Sequence, residues 1–116
     1  MDKEKKINPP SSREEKEAAM ETDKLMSLRI RALIAAIQWA KTSVEYPMMV
    51  KSVNDYMNAS TADKAFKNDP GAVLHHRKAL AMSIVLEAEL SISSEQSFEL
   101  HGALMKIAED DGHEQG

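Results

Sequence analysis

Between Leu25 and Val44 the chain carries apolar residues around too much of a helix for so small a protein. From Met26 they step 4, 3, 4, 3 and 4 along one line: Met26, Ile30, Leu33, Ile37, Ala40 and Val44. A second line, Leu25, Leu28, Ala32, Ala35 and Trp39, climbs the far side. At roughly 100° per residue, the two lines and Ala36 cover about 220° of the circumference. A helix resting on a single core needs one stripe. This one is expected either at the centre of a bundle or half covered by another chain.

The rest of the sequence reads as helix too. No sustained period-2 alternation marks a strand, and aromatic residues make up only 4%. A chain of 116 residues suits one domain with a modest core. Ser12 and Glu15 have capping-box spacing and start the first helix. Pro47 disfavours helical geometry at Tyr46, so that helix is expected to stop there. Proline suits a first helical position, so a shorter second helix of about three turns can follow at once. It carries Met49, Val50, Val53, Tyr56 and Met57 on one face and Met48 on the other. A polar stretch, Asn58 to Asp69, follows as a loop with a turn around Ala62 to Phe66.

Asp69-Pro70 is a strong helix start, with a carboxylate cap and proline in the first turn. The third helix should run from Pro70 to about Ser91, with Val73, Leu80, Ile84 and Ala88 on one side and Ala79, Met82, Leu86 and Leu90 on another. Ser93 and Gln96 form a second capping box, so a break is favoured there over one continuous helix from Pro70 to Asp110. A fourth helix, Glu95 to Asp110, would bury Phe98, Leu100, Leu104, Met105, Ile107 and Ala108. The expectation is all-α: a small three- or four-helix bundle with two long central helices over residues 12–110. Residues 1–11 read as a disordered tail and 111–116 as a disordered acidic one. A short second helix covers little, so the doubly striped helices are expected to need each other, a second copy or a partner.

Charge and composition narrow the function. The net charge is −4, with 15 basic and 19 acidic residues, which argues against general nucleic-acid affinity. From Leu86 onward Glu87, Glu89, Glu95, Glu99, Glu109, Asp110, Asp111 and Glu114 stand against Lys106 alone. That stretch is either an acidic face for a basic partner or an ordinary solvated surface. Cysteine is absent, which removes disulfides, thiol nucleophiles and zinc–thiolate sites and fits a reducing cytoplasm. The longest apolar run, Ala32 to Ile37, is too short to span a membrane. The first residues lack the apolar core of a signal peptide.

Eight methionines give the chain adaptable apolar surface. Trp39, Tyr46, Met48, Met49 and Met57 gather near the junction of the first two helices, as either a docking groove or a bundle end. The expected protein-contact residues are Trp39, Tyr46, Met48 and Met49, with Leu86 and Leu90 from the third helix. His75, His76, Arg77 and Lys78 form a short basic patch. Adjacent histidines diverge by roughly 100° on a helix and cannot share a metal. His101, between Phe98 and Met105, reads as a core histidine, and an enzyme would need a deep pocket around it. Glu95/Glu99 and Glu87/Glu89 lack the apolar enclosure that raises a catalytic pKa.

The expectation is therefore a non-enzymatic protein-interaction module, such as an adaptor, chaperone or small inhibitor. It would bind a partner protein or itself as a homodimer through apolar helix faces. No cofactor, metal or small-molecule substrate is expected, nor a membrane. The alternative is a dimeric DNA-binding regulator using His75, His76, Arg77 and Lys78 at the start of the third helix.

Overall fold

The computed structural model describes residues 8–60 and 69–115, with side chains described at residue 16 and over 20–60 and 69–109. Four helices make up the described chain: α1 (Asn8–Ala40), α2 (Tyr46–Ser60), α3 (Pro70–Ala88) and α4 (Ser94–Gln115). No strand occurs among the described residues. The fold is a small all-α bundle built from two helical hairpins. α1 packs mainly on α2 and α3 mainly on α4, while further α1–α3, α2–α4 and α1–α4 contacts join the pairs.

α1 ends earlier than its sequence suggests. It stops at Ala40, not near Tyr46, and Val44 lies in the turn that follows. Thr42 adopts φ 61°, in the left-handed region. Its N–H bonds the Trp39 carbonyl at 2.8 Å, and the Ser43 N–H bonds the Gln38 carbonyl at 2.7 Å. These two bonds are a Schellman motif, which normally places glycine where Thr42 stands. A β-branched residue there is strained by about 1 kcal/mol or more. Thr42→Gly is therefore expected to stabilise the fold by about 1 kcal/mol. A higher urea midpoint at unchanged slope would bear this out, and a lower midpoint would count against it.

α2 begins at Tyr46 with Pro47 second, and the Met48 and Met49 N–H groups both bond the Glu45 carbonyl. Proline has no N–H to lose there, which is why the helix can start so abruptly. At 15 residues α2 is four turns long, not three, and Asn58 to Ser60 belong to it. It also covers more than expected: Met49, Val53, Tyr56 and Met57 are all buried. The turn expected around Ala62 to Phe66 lies outside the described residues.

The start of α3 follows its sequence signal. The Asp69 carboxylate accepts the Ala72 N–H at 3.0 Å, and Pro70 opens the helix. The break before α4 is equally well signalled. The Ser93 hydroxyl accepts the Gln96 N–H at 3.2 Å, and the Gln96 side chain accepts the Ser93 N–H at 2.8 Å. This reciprocal pair satisfies two helix-end donors and separates α4 from the short turn at residues 89–93. α3 ends at Ala88, three residues before the expected Ser91. At the outer limits α1 begins at Asn8 and α4 continues to Gln115, so the backbone at 8–11 and 111–115 is helical where tails were expected.

The core is filled by Met49, Val53 and Met57 of α2, Ile84 of α3 and Leu100 and Leu104 of α4. α1 faces it with small residues, Ala32, Ala35, Ala36 and Ala40. Alanine lets the neighbouring helices approach closely, so the bulk comes from the other three. α1 touches all three partners, as a central helix would. α3 is not central in the same way, since Ala79, Leu86 and Leu90 of its second stripe remain exposed. Phe98 and His101, both expected inside, are exposed as well. Phe98 and Leu100 stand two residues apart, roughly 200° around the helix, so they cannot share a buried face.

Candidate interaction surfaces

Three exposed apolar surfaces remain once this core is closed. The first is the outer face of α1, where Met26, Ile30 and Ile34 are 48%, 50% and 49% exposed. Leu33 and Ile37 lie half-buried beside them. Leu25, Leu28, Leu33, Ile37 and Trp39 pack partly against the core beside the alanines, and Met26, Ile30 and Ile34 are left on the outside.

The second surface is the α1–α2 junction. The rings of Trp39 and Tyr46 meet at 5.8 Å between centroids and 55° between planes, a tilted arrangement favourable for aromatic pairs. Trp39 is half-buried, while Tyr46 and Met48 are exposed. Met49, expected as a contact residue, is fully buried and belongs to the core. It lies on the Met49–Val53–Met57 line that α2 turns inward, and Met48 points elsewhere because adjacent residues diverge.

The third surface is the corner where α3 meets α4. Leu90 is 89% exposed and Phe98 81%, and Leu86 is exposed on the preceding turn. An open groove of about 490 Å³ runs here, lined by Met82, Val85, Ile92 and Phe98 together with Glu89, Ser93, Ser94, Ser97 and His101. The Ser97 hydroxyl donates to the Glu89 carboxylate at 2.8 Å. Among the described residues no hydrogen bond joins His101 to a serine or a carboxylate, and the groove is open to solvent. Leu86 and Leu90 are exposed as their sequence positions suggest, whereas Phe98, expected inside, is exposed too. Its signal was the separation from Leu100, together with His101 and Gly102 at the positions three and four residues on.

The polar groups are largely committed to joining helices. Arg77 is only 3% exposed, and its guanidinium donates to Asn58 Oδ1 at 3.0 Å and Asn54 Oδ1 at 3.2 Å, tying α3 to α2. Lys78 pairs with Glu109 of α4 at 3.0 Å. His76 lies 3.4 Å from the Ser60 hydroxyl, while His75 is exposed. Of the four residues of the basic patch, Arg77 thus faces inward and Lys78 is held by a carboxylate. The acidic stretch is also partly used within the fold. Glu87 pairs with Arg29 of α1 at 2.7 Å, and this hydrogen bond, against an opposing desolvation, raises the Arg29 pKa. Glu95 and Glu99 remain exposed.

Among the described residues no group of three or more histidines and carboxylates is placed to hold a metal ion. No described helix is long and apolar enough to cross a membrane. No family, curated protein or solved structure matches the chain.

Proposed function

We propose that the protein is a non-enzymatic interaction module that docks a partner protein through exposed apolar helix surfaces. The observation that carries this reading is the α3–α4 corner. Leu90 and Phe98, two large side chains, stand almost fully in water beside an open groove of mixed polar and apolar lining, although the core has closed without them. Singly exposed apolar residues are ordinary, but grouped ones beside a groove are the usual sign of a protein contact. A partner supplying an apolar anchor from an amphipathic helix would bury Leu90, Phe98 and Met82 together. Trp39, Tyr46 and Met48 form a second apolar cluster available to the same kind of partner. Adaptor, chaperone and small inhibitor are all consistent with it. The absence of cysteine supports a reducing, cytoplasmic setting.

The DNA-binding alternative draws no support from the start of α3, because Arg77 is buried and Lys78 is paired across to α4. Direct groove readout needs several free polar and basic side chains on one helix face.

The test compares the immobilised full chain with a Leu90→Glu/Phe98→Glu variant whose melting temperature is checked first. Both side chains are exposed, so the variant is expected to fold normally. A protein retained by the wild type in near-stoichiometric amount and lost from the variant is the expected result. Equal retention by both would overturn the assignment of this corner.

A further inference from the structure

We propose that the outer face of α1 is a self-association seam on which a second copy of this chain docks in antiparallel orientation. The inference deepens the interaction reading by naming one occupant, and it rests on that reading. It concerns a different surface from the α3–α4 corner, so either assignment can fail alone.

The seam is regular. Asp23, Ser27, Ile30, Ile34, Ile37 and Lys41 step 4, 3, 4, 3 and 4 residues along α1. This is the 3.5-residue period that keeps one line of a helix facing a partner helix. Ile30 and Ile34 are half exposed at its middle, Ile37 is half-buried, and Asp23, Ser27 and Lys41 are exposed. Lys41 continues the helical register, since its N–H still bonds the Ile37 carbonyl at 3.1 Å. Met26 and Leu33 widen the apolar strip on one flank. From Asp23 to Lys41 the strip is about 27 Å long at the rise of an α-helix.

Its charges select the occupant and its direction. The apolar centre is bounded by an acid at one end and a base at the other. When two copies lie antiparallel about a two-fold axis, Ile30 meets Ile34 of the second copy and Ser27 meets its Ile37. Asp23 then meets the Lys41 of the second copy, and the symmetry repeats that ion pair at the other end. A parallel pairing would oppose Asp23 to Asp23 and Lys41 to Lys41. The face is therefore complementary to itself in one orientation only. Arg31 lies on the outer flank near the two-fold, where its exposed, long side chain can turn its guanidinium to water. Docking would cover Met26, Ile30 and Ile34, the large apolar side chains that the alanine-lined inner face of α1 leaves outside.

The closing experiment uses the pure full-length chain and no partner. Sedimentation equilibrium from about 1 µM to about 0.5 mM is expected to show a reversible monomer–dimer equilibrium. Ile34→Asp is expected to raise the dimer dissociation constant by roughly tenfold or more. Ile30→Asp provides a second variant should the first fold poorly, with circular dichroism separating misfolding from lost association. Orientation is read by mixing Asp23→Cys with Lys41→Cys protein and adding a short bismaleimide crosslinker, which the absence of native cysteine makes site-specific. The mixture is expected to crosslink far more than either variant alone. Three results would overturn the proposal: a monomer throughout the range, a dimer indifferent to both isoleucine substitutions, or crosslinking as strong within each single variant as in the mixture.

Discussion

Replacing Leu104 by alanine is expected to cost about 2–5 kcal/mol, among the largest single-residue losses the fold offers. Leu104 is fully buried in the cluster that joins Leu100 and Ile107 of α4 to Met49, Val53 and Met57 of α2. Part of the cost is the transfer of the lost methyl and methylene groups. The rest is the cavity left behind, at about 24 cal/mol per Å³ when neighbours fail to collapse into it. α1 lines this core with Ala32, Ala35 and Ala36, which have no side-chain length to swing inward, while its Leu28, Leu33 and Ile37 pack only partly against it. Thermal unfolding should show it plainly, since 1 kcal/mol moves the midpoint of a domain this size by about 4–8 °C. A loss below about 1 kcal/mol would mean that neighbouring side chains relax into the site and leave little cavity.

The second large effect is expected where a charge is buried. Asn54→Ala/Asn58→Ala removes the two side-chain oxygens that receive the Arg77 guanidinium and is expected to cost about 3 kcal/mol. Bonds to a charged donor are worth about 1.5–3 kcal/mol each, and the exposure of Asn58 places its bond at the lower end. Arg77→Met keeps most of the volume while removing the donor to those two oxygens. Adding Arg77→Met to the Asn54→Ala/Asn58→Ala background should cost less than the sum of the two separate losses, because the two asparagine bonds can be lost only once. Urea denaturation of the four proteins forms a thermodynamic cycle that isolates the coupling. Strictly additive losses would show that the contact of Arg77 with the two asparagines contributes nothing to holding α3 on α2.

The starts of α3 and α4 were the most legible part of the fold, whereas α1 begins at Asn8, ahead of the Ser12/Glu15 signal. Asp69-Pro70 and the Ser93/Gln96 box act through bonds that close within three residues, so no distant contact is needed to read them. The end of α1 was not legible for a related reason. Its Schellman bonds are just as local, but they form around Thr42, a residue whose type argues against the left-handed geometry it adopts. The surfaces were read in part. Met48, Leu86 and Leu90 are exposed as expected of contact residues, but Met49 is inside and Phe98 outside. The outward position of Phe98 followed from helix periodicity, but the apolar character of the ring weighed more heavily than its angle from Leu100.

The limit appears most clearly on α1. Periodicity along the chain revealed that this helix is apolar on two sides and that the protein is a helical bundle, because both follow from spacing within one segment. Which side would be buried was not written in that spacing. It depended on how closely three other helices could approach, and the alanine line Ala32, Ala35, Ala36 and Ala40 admits them while the line through Met26, Ile30 and Ile34 keeps its bulk outside. Packing density chose the smaller face for the core and left the larger one to water or to a second chain.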